Sequence, residues 1–125
     1  MNLNQAISKH LEWKVKFLTA ILKQETMDTE TISKDNCCEL GKWLHKDGKT
    51  QFENLASYSI CLSKHATFHL EAGKIAAKVN EKKINDAEAM LNVGQPDTTS
   101  SNNLSLAIKI LENEANQKNR GQTTI

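Results

Sequence analysis

The chain has 125 residues, the length of one domain, and 38% of them are hydrophobic, which is enough for a small core. Its formal net charge of +1 provides no bulk attraction for nucleic acid, so we expect no nucleic-acid partner. No apolar run approaches the ~18 residues that a membrane span needs, and the first residues lack the apolar region of a signal peptide. We therefore expect no membrane span and a cytoplasmic location.

The first predicted element is a helix from about Asn4 to Lys23. Its inner stripe steps by three or four residues through Leu3, Ala6, Ile7, His10, Trp13, Phe17, Ala20 and Ile21. His10 interrupts this apolar stripe, where an unpaired imidazole would cost free energy. The following segment, Glu25 to Asp35, is polar and Thr-rich, and it predicts a loop.

A short helix is predicted next. Asn36-Cys37-Cys38-Glu39 has the Asn-x-x-Glu form of a capping box, and the helix would stop near Gly48, a suitable left-handed cap. Cys38 would lie in its first turn, where backbone N–H groups and the helix dipole favour a thiolate. Cys37 and Cys38 are poor disulfide partners because their Cβ vectors diverge. In a reducing cytoplasm, a free thiol or a metal thiolate is the expected fate.

Thr50-Gln51-Phe52-Glu53 is a second capping box and predicts the longest helix, from about Gln51 to Val79. His65 and His69 lie four residues apart on it, which places both imidazoles on one face, one turn apart. Cys61, one turn before His65, is interpreted as a small buried apolar residue.

The rest of the chain predicts two more helices. A shorter one covers about Ile84 to Leu91, and a loop follows from Asn92 to Asn103. The inner stripe of the last helix is Leu104, Ala107, Ile108, Leu111 and Ala115. Residues 117–125 are polar and predict a disordered tail, which leaves residues 1–116 as one domain. The expected fold class is all-α: a four-helix bundle with a short extra helix in the first connection, which carries the candidate ligand cysteine.

Four side chains offer the nitrogen and sulfur ligands that tetrahedral zinc prefers: His10, Cys38, His65 and His69. Each histidine also has a structural interpretation. His10 would be a core histidine bonded to a carbonyl, and the His65–His69 pair a partly exposed helix face. His-x-x-x-His alone occurs by chance, and His45 is interpreted as a solvated surface group.

Three stretches resemble the chemoreceptor zinc-binding domain family: NQAISKHLEWK at 4–14, CELGKWL at 38–44 and HATFH at 65–69. They are similar to the family's His-x-x-Trp helix, Cys-x-x-Gly-x-Trp turn and His-x-x-x-His helix, in the family's order and spacing. The similarity is expected to cover nearly the whole chain. It implies that His10, Cys38, His65 and His69 are zinc ligands, and the register of the turn selects Cys38 over Cys37. It also implies a four-helix bundle used as a cytoplasmic sensor module.

The expected function is a zinc-binding sensory or regulatory domain of bacterial signal transduction, of the chemotaxis receptor or diguanylate cyclase type. It would sense zinc or oxidants through the three-His, one-Cys site. We expect no enzymatic activity, because four protein ligands leave no open position on zinc and Ala66 stands where metalloproteases have glutamate.

Two alternatives stay open. One is a structural or oligomerisation bundle in which zinc is only a staple. The other is a metalloenzyme or oxygen carrier of the hemerythrin kind, whose two irons need more His and carboxylate ligands than this chain supplies. The chain contains no output module, so the expected partner is a chemoreceptor or cyclase signalling module, in cis or in trans. A homodimer is a further candidate assembly.

Overall fold

The computed structural model describes residues 1–92 and 94–123, with side chains up to residue 117, and every regular element in this part is a helix. The helices are α1 (Leu3–Leu11), α2 (Trp13–Lys23), α3 (Thr29–Ser33), α4 (Glu39–His45), α5 (Asp47–Phe52), α6 (Ala56–Asn80), α7 (Ile84–Met90) and α8 (Pro96–Thr123). The two longest helices, α6 and α8, pack on each other; α1 packs on α8, and α3 on α6. The predicted all-α helix bundle is confirmed.

The first predicted helix is divided in two at Glu12. Asn2 caps α1, since its side chain accepts a hydrogen bond from the backbone N–H of Gln5 at 3.1 Å. Helical hydrogen bonds continue through the break, from the N–H of Glu12 to Ser8 and from the N–H of Lys16 to Glu12. The inner face therefore keeps its predicted register, with His10 5% exposed and Phe17 fully buried.

The loop predicted for 25–35 is interrupted by α3 at residues 29–33, while residues 25–28 and 34–35 lie outside a helix as predicted. Asp28 caps this helix by accepting from the N–H of Thr31 at 3.2 Å. Asn80 of α6 fixes the preceding turn, because its side chain accepts from the N–H of Met27 at 2.7 Å and donates to the Met27 carbonyl at 2.8 Å. Ile32 is then buried on α3. A contact from a distant part of the chain thus stabilises a helix that is too short to form alone.

The short cysteine-bearing helix exists, but its ends differ from the prediction. Cys38 itself is the N-cap of α4, and no left-handed stop occurs at Gly48, which lies buried inside the next helix, α5. A Cβ on Gly48 would lie 2.8 Å from the Trp43 ring, so glycine is needed for close packing rather than for a turn. Thr50 also lies within α5, and its hydroxyl donates to the Lys46 carbonyl at 3.2 Å. The helix predicted to be the longest therefore begins at Ala56 and not at Gln51, and its 25 residues are fewer than the 28 of α8.

The last helix begins earlier than predicted. The segment 92–103 was expected to be a loop, but α8 starts at Pro96, where a proline fits because the first helical residue needs no N–H partner. Gly94, with φ of 89°, makes the turn into it. The predicted inner stripe is confirmed by the burial of Leu104, Ala107, Ile108, Leu111 and Ala115. The tail predicted for 117–125 lies largely outside the described side chains, although the α8 backbone is described to Thr123.

The core consists of two clusters that meet along α6. Cys61 and Phe68 of α6 belong to the cluster that α4 and α8 complete, and Ala72 and Ile75 to the cluster that α2 and α7 complete. Cys61 is fully buried, as predicted, and burial raises the pKa of its thiol to about 11. Within the two described ranges, no helix is both long and apolar enough to cross a bilayer.

Candidate metal centre

The four predicted ligand residues converge on one point. His10 comes from α1, Cys38 from the N-cap of α4, and His65 and His69 from α6; one donor atom of each lies within 4.8 Å of all the others. Cys38 Sγ is 3.2 Å from His65 Nε2, 3.4 Å from His69 Nε2 and 3.8 Å from His10 Nε2. The Nε2 atoms of His65 and His69 are 3.0 Å apart.

These separations fit a tetrahedral zinc ion. Zn–N and Zn–S bonds of ordinary length place two tetrahedral nitrogens about 3.3 Å apart, and nitrogen and sulfur about 3.6 Å apart. The Nε2 atoms of His65 and His69 are 3.0 Å apart, the N–S separations run from 3.2 to 3.8 Å, and all four donor atoms lie within 4.8 Å of one another. The donor set is three imidazoles and one thiol, which suits zinc better than calcium or magnesium.

Backbone carbonyls orient two of the three imidazoles. The Nδ1 of His10 donates to the carbonyl of Ala6 at 2.7 Å, and the Nδ1 of His69 donates to the carbonyl of Ile32 at 2.9 Å. Because a carbonyl only accepts, each ring keeps its proton on Nδ1 and leaves the Nε2 lone pair free for a metal. The Nδ1 of His65 is buried with no hydrogen-bond partner among the described residues. Helix α3 thus contributes to the site through a backbone group that no side-chain pattern could indicate.

Burial keeps the three histidines neutral. Removal from water lowers the pKa of His10 to about 4 and that of His65 to about 2, and the neighbouring imidazoles add to both shifts. The pKa of His69 is also lowered by burial, against the opposing effect of its bond to the Ile32 carbonyl. At neutral pH each ring therefore has a free lone pair, the state that binds a metal.

The expectation that Cys38 favours a thiolate is wrong for the protein without a metal. Burial raises the pKa of its thiol, and this effect exceeds that of the N–H of Gly41, which donates to Sγ at 3.3 Å. The backbone N–H groups at the helix start lower the pKa of the thiol, but the loss of water around the sulfur raises it by more. A cation held by Cys38 and the three histidines would supply positive charge at the sulfur and favour its thiolate form.

Gly41 brings the Cys38 segment close to its own preceding turn. A Cβ at this position would overlap the carbonyl oxygen of Asp35 and lie 2.8 Å from its carbonyl carbon. The first turn of α4 can therefore contact residues 35–36 only because position 41 has no side chain. This is the physical reason for the glycine in the Cys-x-x-Gly-x-Trp turn.

The other candidate groups lie outside the cluster. Cys37 Sγ contacts the side chain of Asn36 at 3.5 Å, and the exposed His45 lies 3.1 Å from an Asp35 oxygen. An ion pair that the sequence did not predict joins the two ligand segments. Lys9, next to His10, lies 2.8 Å from Glu39, next to Cys38.

An all-helical bundle with three imidazoles and a thiol at zinc-like spacing defines a metal-binding helical domain. A family model described as the chemoreceptor zinc-binding domain matches residues 10–76, which is more than half of the 125-residue chain. The chain belongs to this family of regulatory zinc-binding signalling domains. The match contains all four clustered residues, but it is shorter than the nearly complete similarity expected from the motifs. Comparisons with curated proteins and with solved structures gave no match.

Proposed function

We propose that this chain is a sensory domain that binds one zinc ion through His10, Cys38, His65 and His69 and reports zinc or oxidants to a signalling module. The observation that carries the proposal is the convergence of four donor atoms from three separate elements, all within 4.8 Å of one another. The carbonyls that hold His10 and His69 in the metal-binding tautomer support it. Zinc, when bound, supplies the positive charge that stabilises the buried Cys38 thiolate.

A regulatory role fits this site better than a catalytic one. Three nitrogens and one sulfur complete the tetrahedron that zinc prefers, so no position remains for water or substrate. We therefore propose that the domain is not an enzyme. Its three contributing elements, α1, the start of α4 and α6, would be held together by the site, and metal binding would add to the free energy of folding.

The signal would start at Cys38. Oxidation transfers two electrons from the thiolate sulfur to an oxidant such as hypochlorous acid, and the resulting sulfenic acid is a poorer ligand. Zinc depletion would release the same residue. Residues 34–38 lie between α3 and α4 without helical structure, so release of Cys38 would free a segment that few backbone hydrogen bonds restrain.

We further propose that residues 1–116 form the functional domain and act in the cytoplasm on a chemoreceptor or cyclase module, in cis or in trans. A thiol ligand fits a reducing compartment. A homodimer is supported by a stripe on α1 and α2 whose spacing matches the seam of a coiled coil. The stripe consists of Leu11, Val15, Leu18 and Leu22, which are 50%, 63%, 39% and 83% exposed.

Metal content tests the site. Elemental analysis of freshly purified protein is expected to find about one zinc per chain, lost or much weakened in His65→Ala and in Cys38→Ala. His45→Ala and Cys37→Ala are the matched controls, since both residues lie outside the cluster, and both variants should keep the metal. A wild-type protein that neither contains nor takes up zinc would contradict the proposal.

The response to oxidants distinguishes a sensory zinc site from a purely structural one. Hypochlorous acid should release zinc and reduce helix content in the wild type, while Cys38→Ala should lack this response. Zinc release is followed with a chromogenic chelator and helix content by circular dichroism. Very tight zinc and an inert sulfur in the wild type would favour the structural bundle instead.

A further inference from the structure

A cavity of about 330 Å³ lies between α1, the start of α2 and the start of α4, and its walls include both Cys38 and His10. Cys38 is only partly buried, whereas the three histidines are at most 5% exposed. The cavity therefore offers an approach to Cys38 and His10, whereas His65 and His69 do not line it.

The cavity combines apolar walls with charges that cancel. Ala6, Trp13 and Leu40 line it, together with the lysines Lys9 and Lys16 and the glutamates Glu12 and Glu39. The Lys9 ammonium lies 2.8 Å from a Glu39 carboxylate oxygen, and the Lys16 ammonium lies 4.4 Å from the centre of the Trp13 ring. Because Lys9 is paired with Glu39, and Lys16 and Glu12 cancel in formal charge, the side chains of the cavity carry no net positive charge that would draw an anion toward Cys38.

The neighbouring cysteine faces a different space. Cys37 lines an open groove of about 610 Å³, which also includes Asn36, Thr67 and Leu70 and does not include Cys38. Two adjacent thiols therefore have separate approaches, one through a largely apolar cavity and one through an open groove. Cys37 is an internal reference for the accessibility of Cys38.

We propose that the cavity between α1 and α4 is the site where small uncharged electrophiles and oxidants reach Cys38, and that its apolar walls and the neutralisation of Lys9 by Glu39 disfavour anionic ones. The proposal deepens the proposed function and rests on it where Cys38 is taken as the metal ligand. The accessibility of the Cys38 sulfur can be measured with or without zinc. The zinc site and the cavity route can therefore be refuted independently of each other.

Iodoacetamide and iodoacetate are suitable probes because they are nearly equal in size and differ in charge. In both reactions the Cys38 sulfur forms a bond to the methylene carbon, the carbon–iodine bond breaks, and iodide leaves with the electron pair. The thiol proton or the metal ion passes to solvent. A Cys37→Ser/Cys61→Ser protein reports Cys38 alone, and a Cys38→Ser/Cys61→Ser protein reports Cys37 alone. Intact mass gives the alkylation rate.

The preference for iodoacetamide over iodoacetate is expected to be larger at Cys38 than at Cys37. Glu39→Gln leaves the Lys9 ammonium without its counter-charge and should raise the iodoacetate rate at Cys38 roughly threefold, with little effect on iodoacetamide. Two results would overturn the proposed discrimination against anions. One is a ratio of iodoacetamide to iodoacetate rates at Cys38 that Glu39→Gln does not change, and the other is an equal ratio at Cys37 and Cys38 in the wild-type surroundings.

Blocking each approach tests the route. Gln5 is exposed and lines the cavity, and Thr67 is exposed and lines the groove, so Gln5→Trp and Thr67→Trp are matched obstructions. Gln5→Trp should slow iodoacetamide at Cys38 at least threefold and leave Cys37 unaffected; Thr67→Trp should do the reverse. A Gln5→Trp protein that folds by circular dichroism and reacts at the wild-type rate would refute the route. If the wild type binds no zinc, the metal site fails while the same rates still decide the cavity.

Discussion

Gly41→Ala is the sharpest test of how the fold positions Cys38. The new methyl group would overlap the Asp35 carbonyl oxygen, lie 2.8 Å from its carbonyl carbon and 3.1 Å from Asn36 Cα. These are backbone atoms, so no side-chain rotation can relieve the overlap. Either the 35–36 segment or the first turn of α4 must move, and Cys38 lies between them.

The size of the effect follows from the displacement. Restoring ordinary contact with the Asp35 carbonyl oxygen requires a movement of about 1.6 Å, whereas a metal–ligand bond tolerates about 0.2 Å. Overpacking of this kind destabilises a fold by about 1–3 kcal/mol. Disturbing the support of a metal ligand lowers metal affinity about 10–100-fold. We expect both losses in Gly41→Ala, because the N–H of Gly41 also donates to the Cys38 sulfur.

Zinc affinity is measured by competition with a chromogenic chelator, and stability by urea unfolding of the metal-free and zinc-loaded forms. Gly94→Ala is the matched control. Gly94 has φ of 89° and open space around its Cα, so alanine there should cost about 1–2 kcal/mol of backbone strain without moving Cys38. Wild-type zinc affinity in Gly41→Ala, or equal losses of affinity in both variants, would refute the reasoning.

Three further outcomes are expected. Burial lowers the folded-state pKa of His10 to about 4, so between pH 6.5 and 4 the unfolded chain binds a proton that the folded protein does not. The free energy of unfolding of the metal-free protein should therefore fall over this range, by on the order of 3 kcal/mol in total. A urea midpoint that does not change with pH would contradict this. Burial raises the pKa of Asp97 to about 6, and its Oδ1 has no partner among the described residues, so stability falls as pH rises from 3.8 to 6. Asp97→Asn should therefore add about 1–2 kcal/mol at pH 7 and nothing near pH 3, as measured by unfolding at both pH values; equal effects at both would count against a buried charge. Because the Leu22 side chain is 83% exposed, Leu22→Glu should change the stability of the monomer by less than about 0.5 kcal/mol. The same substitution should weaken self-association, which light scattering measures as a lower molar mass in solution. A molar mass equal to that of the wild type would exclude this stripe as the dimer interface.

Much of the helical content could be predicted from local signals. The three-and-four spacing of apolar residues identified the inner faces of α1, α2 and α8, and it placed His10 on a buried face. Two predictions of loops are wrong because a helix begins inside a polar segment. Asp28 caps α3 and Pro96 opens α8, but polar composition outweighed both signals. The predicted helix boundaries between residues 45 and 56 are wrong because Thr50 and Gly48 lie inside α5. Thr50 donates to the Lys46 carbonyl instead of capping a helix, and Gly48 packs against the Trp43 ring instead of ending one.

The sequence by itself determined the helical class, the family motifs and the one-turn spacing of His65 and His69, because each depends on residues close together in the chain. Only the tertiary structure decided that His10 and Cys38 meet this pair, that the Ile32 carbonyl orients His69, and that burial raises the pKa of Cys38 although it caps a helix. The physical reason is the same in all three cases. Distances between remote residues, and the loss of water around a thiol, depend on how the helices pack.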